Sequence, residues 1–269
     1  MKFHKLLGAF VAALILVTAC KKDDPTPTPP SPWDDKTLIS QKTIDGTGLI
    51  VSLYADHQLE TGYNELYVSV LGIAGTNGGA AVDVVPLMDM GSMVHSAPVE
   101  SFDYDATLKG YKGAVVFIMP SAGGTWSLNI GIDDLGNQFN VDIPISVVAS
   151  DPAKLMSGVS MLDGTTPYFV SLIQPMEPKT GINTFEVAVH RRETMMSFPP
   201  VADLQVFIEP EMPTMGHGSP NNVDPTETAD GHYVGQVNFT MTGLWHVNLT
   251  LANAAGDTIL TNKYFVLEF

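Results

Sequence analysis

The sequence predicts an all-β protein built as two tandem β-sandwiches of the immunoglobulin-like kind. Three observations carry that prediction: short runs alternate apolar and polar residues with period two, turn signals punctuate them, and the second half of the chain repeats the first. Alternation marks a half-buried strand, because successive side chains leave opposite faces of a sheet. Several short strands separated by turns fold as a sandwich. The 24 Gly and 19 Pro among 269 residues favour turns over long helices, and no stretch sustains a helical period.

The chain opens on a segment that belongs to neither sandwich. Residues 1–20 read MKFHKLLGAFVAALILVTAC, with Lys2 and Lys5 ahead of an apolar run from Leu6 to Val17. That run is short for a bilayer core of about 30 Å and reads as a signal peptide over residues 1–19. Val17-Thr18-Ala19-Cys20 resembles a bacterial lipobox, which implies a lipid on Cys20 and a membrane anchor. Cys20 is the only cysteine, so an internal disulfide framework or a CxxC centre is excluded. Residues 20–35 then carry Lys21, Lys22, Asp23 and Asp24 and five prolines from Pro25 to Pro32, the composition of an extended stalk. The charged start resembles the export signal of surface lipoproteins in Bacteroidetes-type bacteria. It implies an outer-membrane lipoprotein facing either the cell surface or the periplasm.

Two copies follow, at residues 36–150 and 151–269. Leu49-Ile50-Val51-Ser52-Leu53 returns as Tyr168-Phe169-Val170-Ser171-Leu172, and Gly62-Tyr63-Asn64 as Gly181-Ile182-Asn183, both 119 positions later. A repeat this long is a duplicated domain, since solenoid units run to about 20–50 residues. In copy one, Leu66–Val70, Val82–Val85, Ala114–Ile118 and Trp126–Ile130 read as strands. In copy two, Phe185–Val189, Leu204–Ile208, Gln236–Thr240 and His246–Thr250 do. Asp45-Gly46, Asn77-Gly78-Gly79 and Asp230-Gly231 read as turns. Ser150-Asp151-Pro152 marks the hinge, with a helical turn expected at Ala153–Met156.

Both copies contain M-x-x-M-x-H-x-x-P at an offset of 122 residues: Met90, Met93, His95 and Pro98 against Met212, Met215, His217 and Pro220. Each copy adds a Met expected on the next strand, Met119 or Met241. Thioethers are soft donors that select Cu(I), and imidazole suits copper as well. The expected metal ligands are therefore Met212, Met215, His217 and Met241, with Met90, Met93, His95 and Met119 as the first-copy set. The Gly- and Pro-rich loops predict exposure. Met is also a common core filler, and Met156, Met161, Met176, Met195 and Met196, unpaired between copies, are assigned to structure. His57, His190, His232 and His246 are likewise unpaired, with His232 and His246 as candidate peripheral ligands.

The runs Glu211–His217, Gly231–Gly235 and Phe239–Trp245 resemble the YtkA-like/FixH-like domain family. The resemblance implies a small extracytoplasmic β-sandwich, related in style to cupredoxin-like copper carriers and found beside copper-handling proteins. It covers about 60 residues of copy two. Copy one departs from it at Val94 and Asp89, and Gly123-Gly124 lengthen its approach to Trp126.

No enzyme is expected, because no GxSxG elbow, HExxH helix or phosphate-binding glycine loop occurs. The formal net charge of −16 disfavours nucleic acid and anionic lipid surfaces as electrostatic partners. Two functions remain. One is a membrane-anchored Cu(I) carrier or buffer with a copper-handling protein as partner. The other is a surface interaction module for protein or glycan, with the Met-rich loops structural.

Overall fold

Strict alternation along the chain becomes two stacked sheets in each copy. A computed structural model describes residues 31–73 and 79–269. The signal segment, Cys20, most of the Pro-rich stretch and Asn77-Gly78 lie outside the described residues. The first copy contains β1 (Thr37–Ile44), β2 (Leu49–Ala55), β3 (Gly62–Leu71), β4 (Ala80–Asp89), β5 (Val94–His95), β6 (Asp103–Asp105), β7 (Gly110–Phe117), β8 (Thr125–Asp134) and β9 (Asn137–Ile145). The second contains β10 (Leu155–Val159), β11 (Pro167–Gln174), β12 (Gly181–Arg191), β13 (Gln205–Met212), β14 (His217–Gly218), β15 (Val223–Ala229), β16 (His232–Phe239), β17 (Leu244–Ala252) and β18 (Thr258–Glu268).

Sandwich one sets the sheet β1-β2-β3-β7-β6 against β5-β4-β8-β9, and sandwich two sets β10-β11-β12-β16-β15 against β14-β13-β17-β18. Adding nine to each strand number of the first gives the second, so the sequence repeat is a repeat of topology. All strand pairings are antiparallel. The fold is all-β and immunoglobulin-like in layout.

Period two decides which side chains meet between the sheets. β4 buries Ala80, Val82, Val84, Pro86 and Met88, and β13 buries Val206, Ile208, Pro210 and Met212, while alternate residues face outward. Each core centres on a fully buried indole: Trp126 packs at 5.3 Å from the Phe117 ring, and Trp245 at 5.3 Å from Phe239.

The hinge is extended rather than helical. Leu155 already opens β10, Lys154 N–H donates to Ser150 Oγ, and Lys154 O accepts from Leu172 N–H, so these backbone groups are spent on sheet and loop bonds. The linker is stitched to sandwich one. Thr61 N–H donates to Val148 O, Val148 N–H to Leu59 O, and Lys154 pairs with Glu60.

The Asp230-Gly231 turn, legible from sequence, joins β15 to β16 with φ of 47° and 76°, the left-handed pair that a two-residue hairpin requires. A Cβ on Gly231 would lie 2.7 Å from Val189 O and 2.9 Å from Pro200 Cβ, so only glycine fits. The turn delivers His232 as the first residue of β16. Gly231→Ala is therefore expected to lower stability by about 1–3 kcal/mol, read from urea denaturation followed by Trp fluorescence. An unchanged midpoint would contradict this geometry.

Candidate functional site

At one end of sandwich one, β4 and β5 pair Met88 with His95, and β8 places Trp126 beside Met88 on the other side. A buried indole N–H needs an acceptor, and Trp126 Nε1 donates to Met119 O at 2.9 Å. That bond holds the chain just past β7, so Met119 follows the strand instead of lying on it. The His95 ring is buried, edge-on to Trp126 at 5.5 Å, and its Nδ1 lies 2.7 Å from Ser96 O. A carbonyl only accepts, so Nδ1 carries a proton, and in the neutral ring Nε2 is then the nitrogen with the lone pair. Met119 Sδ lies 3.3 Å from that Nε2.

A short 3₁₀ turn at Ser121–Gly123 closes this end. Its glycines press on two thioether methyls: a Cβ on Gly123 would meet Met119 Cε at 2.6 Å, and one on Gly124 would meet Met88 Cε at 3.1 Å. The second sandwich also reaches here, because Ser96 N–H donates to Met195 O at 2.8 Å. Met90 and Met93 lie in the exposed turn between β4 and β5, where Met90 N–H donates to Met93 O.

Sandwich two repeats the frame without the last contact. His217 Nδ1 donates to Gly218 O at 2.9 Å, its ring stands edge-on to Trp245 at 6.0 Å, and Trp245 Nε1 donates to Met241 O at 3.0 Å. Met241 again follows its strand, β16. Four positions separate Met241 from Trp245, against seven between Met119 and Trp126, so the 3₁₀ turn that seats Met119 on His95 has no counterpart. Met215 is 58% exposed, whereas Met212 is only 4% exposed, with its methyl against Gly243.

Two expectations change. The loops are not uniformly exposed, because Met212 is a core residue: the inward parity of β13 runs through it. The structural counterpart of Met212 is Met88 and not Met90, since Met88 and Met212 both pair with the histidine of the short following strand. The loop between them is two residues longer in copy one. Its signal is V-x-[VI]-x-P-x-M, in Val82–Met88 and Val206–Met212, at an offset of 124 residues. Among the described residues no three His, Cys, Asp or Glu side chains converge as a metal-holding group.

A second constellation lies where the sandwiches meet. His232 stands between two carboxylates, with Nδ1 2.9 Å from Glu186 Oε1 and Nε2 2.8 Å from Glu100 Oε1. Glu186 belongs to β12 of its own sheet, and Glu100 to the segment between β5 and β6 of the other sandwich. Tyr63 of β3 donates its hydroxyl to Glu100 Oε2 at 2.8 Å and sets its ring edge-on to His232. Hydrogen bonding to Glu100 pushes His232 up to about 9, against a smaller desolvation penalty, so at neutral pH it is an imidazolium donating both protons. Burial is the largest single influence on Glu100 and would raise it, but the hydrogen bond and charge of His232 together with the Tyr63 hydroxyl outweigh it and hold the carboxyl below its usual value. Burial and the carboxylates of Glu100, Glu65 and Glu186 push the Tyr63 phenol up, so it stays a donor. His190 lies alongside, buried, and burial pushes it down to about 4. Both ring nitrogens of His232 thus face carboxylates, and His246 stacks on Tyr264 at 4.1 Å. The partner of His232 is 132 residues away in sequence, which no local pattern announces.

Two tests follow from these placements. Met212→Ala is expected to cost about 2–5 kcal/mol as a core truncation, and Met215→Ala within about 0.5 kcal/mol, both read by chemical denaturation. Equal losses would contradict the burial difference. For the junction, a histidine raised from 6.5 to about 9 stabilises fully below 6.5, and its contribution falls as pH rises through 9. His190, lowered to about 4, costs stability as pH falls from 6.5 towards 4, when the unfolded chain takes up the proton first. Stability due to the junction should therefore peak near pH 6.5. His232→Gln should flatten the alkaline limb, and an unchanged alkaline limb would refute the tie.

No curated protein matches the chain. Among solved structures, the Escherichia coli adhesin FdeC is 14% identical with a TM-score of 0.27, over 81% of this chain and 63% of that one. A chimeric titin Z1Z2 tandem is 12% identical with a TM-score of 0.19, over 78% of this chain and 91% of that one. An endo-fucoidan hydrolase from glycoside hydrolase family 107 is 11% identical with a TM-score of 0.20, over 90% of this chain and 37% of that one. Residues 163–250, which include β11 to β16 and most of β17 in the second sandwich, match the family described as YtkA-like.

Proposed function

We propose that the protein binds and carries a soft metal cation, Cu(I), at the His–Met end of the first sandwich, and performs no catalysis. The supporting observation is the 3.3 Å approach of His95 Nε2 to Met119 Sδ, with the Nδ1 proton committed to Ser96 O. Two donor atoms on one tetrahedral centre, with bonds of about 2.0 Å to nitrogen and about 2.3 Å to sulfur, stand about 3.5 Å apart. The pair is therefore nearly preset. A thioether with an imidazole is the donor set of a soft ion. Met88 is a buried thioether beside the same glycines, and the exposed Met90 and Met93 can complete the set from the loop. His217, Met212, Met215 and Met241 form the looser counterpart in the second sandwich.

A lipid on Cys20 would hold the carrier to the outer membrane, on the surface or the periplasmic face, with a copper-handling protein as its exchange partner. A surface interaction module is the second reading. The exposed side chains of Met90 and Met93, which share one loop, support it, since neighbouring thioethers make an adaptable contact surface.

Titration of the full chain with Cu(I) against a competing chelator tests the proposal. His95→Ala and Met119→Leu are each expected to weaken binding by about tenfold or more, and Met241→Leu to change it less. Parent-like affinity in both first-sandwich variants would overturn copper at this end.

A further inference from the structure

The adjacent pair Met195-Met196 belongs to a stretch that the first copy lacks. Thirteen residues, 192–204, connect β12 to β13, whereas eight, 72–79, with no methionine among them, connect β3 to β4. The extra length holds a narrow hairpin, closed by the bridge of Thr194 with Ser197, and Met195 and Met196 are its two tip residues. We propose that the Met195 thioether is a further donor to the cation held by His95 and Met119, so that the ion bridges the two sandwiches. This inference rests on the reading of the first-sandwich end as a Cu(I) site.

Placement is the first ground. Ser96 N–H donates to Met195 O at 2.8 Å, so the hairpin tip of the second sandwich docks on the residue that follows His95. Ser96 O in turn accepts from His95 Nδ1 at 2.7 Å. One buried residue is therefore gripped through its N–H by the other sandwich and through its carbonyl by the ligand ring. Peptide groups bonded in this way keep their Cα atoms about 5.5 Å apart, as paired strands do. A methionine has three rotatable bonds with which to meet an ion from that position.

The second ground is that the tip is held while its side chain is not spent on a core. Glu193 N–H donates to Ser197 O at 3.0 Å, and Met196 N–H to Thr194 Oγ1 at 3.1 Å. Phe198, buried, roots the hairpin against Phe169, with ring centroids 5.8 Å apart. Met195 is partly buried, yet it packs into neither hydrophobic core. His95 Nε2 and Met119 Sδ leave a soft ion short of donors, and a thioether is the kind of donor that such an ion selects.

Titration of the full chain with Cu(I) against a competing chelator, paired with X-ray absorption at the copper edge, separates this inference from the reading beneath it. Met195→Leu nearly conserves volume and removes the sulfur. It should weaken binding about tenfold and lower the sulfur scattering, while the metal-free chain keeps a denaturation midpoint close to the parent's. Met176→Leu, an exposed methionine before the opposite end of β12, should change neither affinity nor scattering. If His95→Ala binds as tightly as the parent, the copper reading itself fails. If His95→Ala weakens binding but Met195→Leu keeps the parent's affinity, only the bridging donor is wrong. A weaker Met195→Leu with unchanged sulfur scattering would make Met195 a packing residue and refute the bridge. Equal weakening by Met176→Leu would trace the loss to methionine content at large and refute it as well.

Discussion

A fully buried indole has one N–H, and leaving it unanswered in a dry core costs about 1–3 kcal/mol. Trp126 and Trp245 meet that demand in the same way, each donating to the carbonyl of the methionine just past a strand, Met119 or Met241. The bond fixes where the chain goes when it leaves the sheet. The indole edge in turn seats a histidine, His95 or His217, whose Nδ1 proton is taken by the next carbonyl in the chain. One core requirement thus sets backbone, ring plane and free lone pair together. What differs is the length of chain between methionine and indole. Seven positions in the first copy allow the 3₁₀ turn that brings Met119 Sδ onto His95 Nε2, and four in the second do not.

The histidines are used in opposite ways. His95 gives one proton to a carbonyl and offers its other nitrogen to sulfur. His232 gives up both protons to carboxylates from different sandwiches. Removing one partner from a buried charge of this kind is expensive, which makes the junction a sensitive tie rather than an ordinary surface pair. The tie sits on the hairpin that Gly231 permits and beside the buried His190. The alkaline side of the pH response passes through that imidazolium, which adds to the Ser96–Met195 and Lys154–Glu60 contacts between the two copies. The strand-end site is linked to the same arrangement through Ser96 N–H and Met195 O.

Sheets, turns and duplication were legible because each is a local pattern. Val206, Ile208, Pro210 and Met212 point inward by parity alone, and Asp230-Gly231 is a turn from its residue types. The candidate metal end was half legible. A motif that matched at 122 residues placed His95 and His217 correctly but paired Met90 with Met212, because a shared spacing hid a loop two residues longer. The parity of β4 singles out Met88 instead. The helical turn expected at Ala153–Met156 gave way to strand pairing, which local propensity does not weigh. Nothing local marked the His232 tie, since Glu100 comes from the other copy. Only folding brings that charge into reach.

If His95 and Met119 form a preset soft-metal pair, the coordination shell of added metal reveals it most directly. X-ray absorption at the copper edge of the Cu(I)-loaded full chain should show sulfur scatterers together with one imidazole nitrogen. The sulfur contribution should fall in Met119→Leu, and the imidazole signature should disappear in His95→Ala. A shell of nitrogen and oxygen alone, or one unchanged by both substitutions, would contradict the account.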